Sequence, residues 1–218
     1  MNYRAVLFDL DGTLLDTLDD LADCANRVLA SMDMPVHPTF KYKYFVGDGL
    51  ATLIERIVPA DRRNEQTIGR AVDAFRLDYA NNWHVRSRPY EGVAEMLAGL
   101  LDKGIRLAIL SNKPHDFTKL CVRRLLVDVP FFPVLGQREG VPKKPDPAGA
   151  LEVATLLDIP PKEIIYLGDT SVDMKTATAA GMTAVGVLWG FRDKEELMNS
   201  GADHLIHHPG DLLELLSL

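Results

Sequence analysis

The sequence predicts an α/β protein: a doubly wound parallel sheet interrupted, soon after its first strand, by an inserted all-helical domain. Three observations carry that expectation. The run Ala5-Val6-Leu7-Phe8 is apolar without a break, the habit of a strand buried on both faces in a parallel sheet. From Val93 onward, short apolar runs alternate with stretches at helical spacing, which implies parallel strands joined by right-handed crossovers. Between Asp16 and Ser87 only helical patterns occur. The chain is therefore expected to divide into an α/β core, residues 1–15 and 88–218, and a helical cap, residues 16–87, lying over the carboxyl ends of the strands.

Each element has its own reason. The strand Ala5–Phe8 stops at Asp9-Leu10-Asp11-Gly12-Thr13, because two acids and a glycine turn the chain. Asp16 or Thr17 caps a helix whose Leu18, Leu21, Ala25, Val28, Leu29 and Met32 share one stripe, and Pro35 and Pro38 break it. Helices follow near Leu50–Ile57 and from about Arg62 to Tyr79, and Arg88-Pro89-Tyr90-Glu91-Gly92 forms the return junction. A helix over about Val93–Leu101 stops at Gly104. The strand Ile105–Leu110 opens into Ser111-Asn112-Lys113-Pro114, then come a helix near His115–Leu126 and a short strand Phe132–Leu135. A helix over about Pro147–Leu157 precedes the strand Ile164–Leu167, which ends at Gly168-Asp169. A helix from near Val172, a strand Thr183–Leu188, a last strand His204–Ile206 and a C-terminal helix complete the pattern.

The 218 residues suffice for a proper core, and 47% hydrophobic with 25% charged residues is an ordinary globular balance. A net charge of -7 with no basic stripe argues against a nucleic-acid partner. It leaves room for a small phosphorylated substrate, since a local lysine or metal reverses the field inside a cleft. The two cysteines, Cys24 and Cys121, lie far apart in helical patterns and read as reduced, buried thiols of a cytoplasmic protein. The first apolar stretch is short and ends in acids rather than small residues, so no signal peptide is expected. No run approaches the ~18 apolar residues of a membrane span, and a soluble monomer or homodimer is expected.

Several strand ends deliver polar groups to the same edge of the sheet. The first carries Asp9 and Asp11, the second Ser111 and Asn112, and a later one Asp169, with Asp173 in the first turn of the next helix. Lys143-Lys144 precedes Pro145-Asp146-Pro147, where the prolines fix a loop and start a helix. Each piece alone reads as a turn, a helix cap or a solvated charge; together and in order they exceed what capping explains. An EF-hand is excluded because the ligand spacing after the glycine is missing. Phosphoryl transfer is the chemistry that needs this set. A carboxylate attacks phosphorus, hard oxygens at Asp9 and Asp169 suit Mg²⁺, and Ser111 with Lys144 holds the remaining phosphate oxygens. Asp11 is placed to protonate the leaving alkoxide and later to deprotonate water.

The order Asp9-Leu10-Asp11-Gly12-Thr13, Ser111-Asn112-Lys113, Lys144-Pro145-Asp146-Pro147 and Gly168-Asp169-Thr170-Ser171-Val172-Asp173 resembles the four motifs of the haloacid dehalogenase superfamily, phosphatase branch. The resemblance implies a Rossmann-like core with a helical cap inserted after the first motif. It implies Asp9 as nucleophile, Asp11 as general acid/base, and Mg²⁺ held by Asp9, Asp169 and the main-chain carbonyl of Asp11. Asp173 would support the metal through water, and Ser111, Asn112 and Lys144 would bind phosphate. Within that branch the chain is most similar to phosphoglycolate phosphatases, through Phe45-Val46-Gly47-Asp48-Gly49 and Gly186-Val187-Leu188-Trp189-Gly190-Phe191-Arg192. Gly47, Asp48 and Gly49 would form the cap loop that reaches the substrate; a plain helix-start turn explains the same residues. Pyrophosphatases, nucleotide phosphatases and β-phosphoglucomutase-like isomerases share much of this pattern, and a phospho-aspartate receiver domain is the non-enzyme alternative.

Other features read as structural. His204, His207 and His208 are spaced irregularly for zinc. Trp189 and Phe191 read as packing residues, with the last helix as one possible partner, and Lys41, Lys43 and Arg56 as a solvated cap face.

Overall fold

Strand β1 (Ala5–Phe8) is buried at all four positions, as an uninterrupted apolar run requires in a sheet covered on both sides. The structure is a computed structural model and describes residues 3–216. After a two-residue strand β2 (Leu15–Asp16) come helices α1 (Leu18–Ser31), α2 (Tyr42–Phe45), α3 (Leu50–Ile57) and α4 (Glu65–Asn82). A second two-residue strand, β3 (Arg88–Pro89), closes this block by pairing antiparallel with β2. The remainder alternates: α5 (Val93–Asp102), β4 (Arg106–Pro114), α6 (His115–Leu125), β5 (Val134–Gln137), α7 (Ala148–Leu157) and β6 (Ile164–Gly168). Then follow α8 (Ser171–Ala180), β7 (Thr183–Val187), α9 (Lys194–Asn199), β8 (His204–Ile206) and α10 (Asp211–Leu215).

The six long strands pair in parallel in the order β5-β4-β1-β6-β7-β8. The chain starts at the centre, winds out through β4 and β5, and returns to β6 on the other side. That reversal beside β1 is where an open sheet leaves a crevice at its carboxyl edge. Strand alternation sorts the core. Ala5 and Leu7 join Ala108, Leu110, Tyr166 and Ala184 beneath α7 and α8, while Val6 and Phe8 join Leu107, Ile109, Ile165 and Val185 beneath α5 and α6. The second apolar cluster runs on into the helical block through Leu21, Tyr42, Leu53, Phe75 and Tyr79, so block and sheet share one core.

Three boundaries differ from the sequence reading for physical reasons. The helix expected from about Arg62 begins at Glu65, because Asn64 is extended and its side chain accepts the Thr67 amide at 2.9 Å. The strand expected at Phe132–Leu135 begins at Val134, after Pro133, which has no N–H to give the ladder. Strand β4 continues past Leu110 to Pro114, with a register irregularity against β5 that re-aims Ser111, Asn112 and Lys113. The β2–β3 ribbon was not foreseen, since two-residue strands carry no periodicity.

The ribbon is anchored by a buried acid. Asp20, in the first turn of α1, accepts from the backbone amides of Arg86 (3.0 Å) and Ser87 (2.8 Å) and from the Ser87 hydroxyl (2.7 Å). An Asp20→Ala variant leaves the two buried Ser87 donors and the part-buried Arg86 amide without that acceptor. It is expected to lose about 2–4 kcal/mol of stability in denaturant unfolding, whereas exposed Asp61→Ala should fall within about 0.5 kcal/mol.

Candidate active site

At the carboxyl end of β1 the chain must turn sharply, and Gly12 does so at φ +94°. A Cβ there would sit 2.3 Å from Asp169 Oδ2, so glycine is required by conformation and by space. Gly190 closes the same corner from after β7: its Cβ would lie 2.3 Å from that of Asp169 and 2.5 Å from the Gly12 carbonyl. The two glycines let Asp169, at the end of β6, nest against the Asp9–Thr13 loop. Thr13 Oγ1 donates to Asp169 Oδ1 at 3.1 Å, and the Phe191 amide donates to Oδ2 at 2.9 Å.

Asp9, Asp169 and Asp173 each offer a carboxylate oxygen, all within 4.8 Å of one another, and all three residues are buried. Lys144 binds this group from the loop before α7. Its Nζ lies 2.6 Å from Asp9 Oδ1, 2.7 Å from Asp173 Oδ1 and 3.1 Å from the Leu110 carbonyl. The other Asp173 oxygen accepts from the Thr170 amide (3.1 Å) and hydroxyl (2.7 Å), closing a capping box at the start of α8. Asn112 fixes the Lys144 backbone from both sides, accepting its amide at 2.9 Å and donating to its carbonyl at 3.0 Å.

The electrostatics follow from that crowding. Burial pushes the Asp9 carboxyl well above its ordinary value despite Lys144, with Asp173 and Asp169 adding repulsion. Burial, then Asp173, raises Asp169 to about 7, against the Phe191 and Thr13 hydrogen bonds. For Lys144, burial disfavours the ammonium, but Asp173 and Asp9 outweigh it and hold the group above the ordinary lysine range. Three acids meet one ammonium, so with every acid ionised the pocket carries about two uncompensated negative charges. An all-oxygen donor set with that deficit fits a hard divalent cation such as Mg²⁺. Among the described residues this is the group whose ligand atoms could hold a metal. The histidines near the C-terminus do not form one; the His207 and His208 amides donate to Asp211 at a helix start.

Asp11 lines the same cleft as Asp9 but meets a different cation. Its carboxylate accepts from Lys113 Nζ at 3.0 and 3.1 Å and from Thr17 Oγ1 at 2.8 Å. Lys113 also donates to the Tyr79 hydroxyl of α4 at 2.8 Å. Burial disfavours its charge, but Asp11, Tyr79 and Cys121 together outweigh it and hold the group above the ordinary lysine range. Ser111, Asn112 and Lys144 line the cleft beside Asp9. From the helical block Gly47 and Gly49 line it as well, and the Gly47 carbonyl accepts from Asn112 at 3.1 Å. The Asp48 carboxylate is instead engaged by Arg56 at 2.6 Å, while its carbonyl accepts from Lys143 at 2.7 Å.

Lys113, Tyr79 and Thr17 were not assigned to the site from sequence. Lys113 was legible, because two residues beyond Ser111 in an extended segment return to the same side. Tyr79 was not, because nothing in a helical stripe reports which apolar position faces a cleft. Trp189 and Phe191 pack with the core, as expected, and each also makes a polar contact. Trp189 Nε1 donates to the Thr13 carbonyl at 3.0 Å and Phe191 holds Asp169, so both support the turn after β1.

The chain has relatives along most of its length. Residues 6–187 match the family model described as haloacid dehalogenase-like hydrolase. The chain is 32% identical over 208 residues to a phosphoglycolate phosphatase of Nitrosospira multiformis, covering 93% of this chain and 91% of the relative. It is 33% identical to a phosphoglycolate phosphatase of Mesorhizobium japonicum, over 89% and 86% of the two chains. A crystal structure described as a predicted phosphoglycolate phosphatase from Haemophilus somnus superposes with a TM-score of 0.91 at 27% identity, over 99% and 98% of the two chains. The chain is thus an enzyme of the haloacid dehalogenase-like hydrolase family, on the phosphatase side of that family.

Proposed function

We propose that this enzyme is a Mg²⁺-dependent phosphatase that hydrolyses a small phosphate monoester, 2-phosphoglycolate, through an aspartyl phosphate on Asp9. The single observation that carries this reading is one cleft holding two carboxylates with separate cations, Asp9 with Lys144 and Asp11 with Lys113. In this reading residues 1–15 and 88–218 are the catalytic core and residues 16–87 the cap. Asp9 Oδ2, the oxygen not bonded to Lys144, attacks phosphorus. Ser111, Asn112 and the Lys144 ammonium hold the phosphate oxygens where charge spreads in the transition state. Asp11 gives its proton to the departing alkoxide, then takes one from the water that cleaves the acyl phosphate. Asp9, Asp169 and the Asp11 carbonyl would hold Mg²⁺, with Asp173 behind them, and the ion would neutralise charge on the transferring group. Gly47 and Gly49 bring the cap loop over the cleft.

Among the described residues no helix is long and apolar enough to cross a membrane. Cys24 and Cys121 are buried free thiols, which supports a cytoplasmic setting. A panel of phosphate monoesters with Mg²⁺, including 2-phosphoglycolate and assayed by phosphate release, tests the reading. A sugar phosphate isomer in place of free phosphate would make the enzyme a mutase instead.

Metal and pH are linked. Asp169 titrates near 7 when folded and near its ordinary 3.8 when unfolded, and Asp9 is shifted the same way. Between those pH values the folded chain keeps protons that the unfolded chain has lost, so stability falls as pH rises. The metal-free protein is expected to melt progressively lower from about pH 5 to about pH 8, and Mg²⁺ to stabilise it most at the upper end. Asp169→Asn should flatten that slope. A wild-type slope equal to that of Asp169→Asn would contradict the buried charge assignment.

A further inference from the structure

The part of the cleft beyond Asp9 is mostly apolar, lined by Leu21, Leu50, Leu53, Phe75 and Phe117. Among the described residues lining the cleft, two cations occur, Lys144 and Lys113. Lys144 is committed to Asp9 and Asp173, at the site of attack. Lys113 stands beside Asp11, where the leaving oxygen must lie if Asp11 is to protonate it. Its Nζ is 2.8 Å from the Tyr79 hydroxyl; Tyr79 accepts there and keeps its own O–H as a donor. Tyr79 is itself fixed between Phe75, stacked at 5.3 Å, and Phe117, edge-on at 5.3 Å. A cation from the core and a hydroxyl from the cap thus meet next to the leaving-group position, inside an otherwise apolar wall.

We infer that Lys113, with Tyr79, is the specificity-determining pair that receives a carboxylate one methylene removed from the ester oxygen. This deepens the phosphatase reading and rests on it. The chemistry follows from position. A group on the carbon next to the ester oxygen reaches the neighbours of Asp11 and nothing more distant. An anion there would otherwise face apolar side chains and the Asp11 carboxylate, a costly placement without Lys113. A neutral substituent of the same size gains no charge-assisted bond and forces Lys113 to keep Asp11 as its partner.

The test compares 2-phosphoglycolate with its neutral amide, the carbamoylmethyl ester of phosphate, in the wild type and in Lys113→Met. The wild type is expected to favour the carboxylate in kcat/KM by about 10- to 100-fold, mainly through KM. In Lys113→Met that ratio should collapse to about one. Because it is a ratio, loss common to both esters, from a misplaced Asp11 or a partly unfolded variant, cancels. Tyr79→Phe should lower the ratio by a smaller factor of about 3 to 10. A wild-type ratio near one, or a ratio unchanged by Lys113→Met, overturns the assignment while leaving the phosphatase intact. No phosphate release from either ester, nor from p-nitrophenyl phosphate, takes down the phosphatase reading and this inference together.

Discussion

Replacing Asp9 with asparagine is expected to lower kcat by about 10⁴-fold or more, the scale on which removal of a nucleophile is felt. The amide fills the same space and can still meet Lys144, so the cleft keeps its shape, but it cannot attack phosphorus. The variant should not be less stable. Asp9 is a buried carboxyl held above its ordinary value by burial and by two like-charged neighbours. Neutralising it relieves the crowd, and Lys144 retains Asp173 at 2.7 Å. In metal-free buffer at about pH 8 Asp9→Asn should therefore melt at or above the wild-type temperature. A variant that loses activity only because it unfolds would argue for a structural role instead.

Replacing Lys144 with methionine should do the opposite to stability. Among the described residues its ammonium is the one cation paired with Asp9 and Asp173, and removing one partner of a buried pair typically costs about 3–5 kcal/mol. The loss should appear in denaturant unfolding near pH 8 and shrink toward pH 5, where Asp9 and Asp169 take up protons. Activity should fall by about 10²- to 10³-fold, since a donor to the transferring group disappears with it. A loss of stability that is the same at both pH values would mean that Lys144 acts through packing rather than charge.

These two residues also show how far the sequence could be read. Asp9 was legible because an apolar run that ends in acids has one natural address, the carboxyl edge of a parallel sheet. Asp169 followed by the same logic from Ile164–Leu167, and Lys144 from the prolines that fix its loop. What escaped depends on long-range geometry. The Asp11–Lys113 pair joins residues from two different strand ends, and Tyr79 reaches it from α4 in the helical block. Periodicity gives the stripe on which Tyr79 lies, alongside Phe75 and Ala71, but not which of them meets a core lysine. Asp48 shows the reverse. Its place between two glycines marked a loop that does approach the core, yet its carboxylate turns to Arg56 within the helical block. The β2–β3 ribbon, too short for any pattern, is held by Asp20, whose role is visible only once its three donors are in place.

The central claim is that Asp9 carries the phosphoryl group during turnover. Acid-quenching the wild type during steady-state hydrolysis of 2-phosphoglycolate with Mg²⁺, then reducing with tritiated borohydride, measures it directly, because an acyl phosphate is reduced to the alcohol while a free carboxylate is not. Tritiated homoserine at position 9 is the predicted result. Phosphate release with Asp9 unlabelled, or with the label on Asp11 or Asp169, would contradict the account.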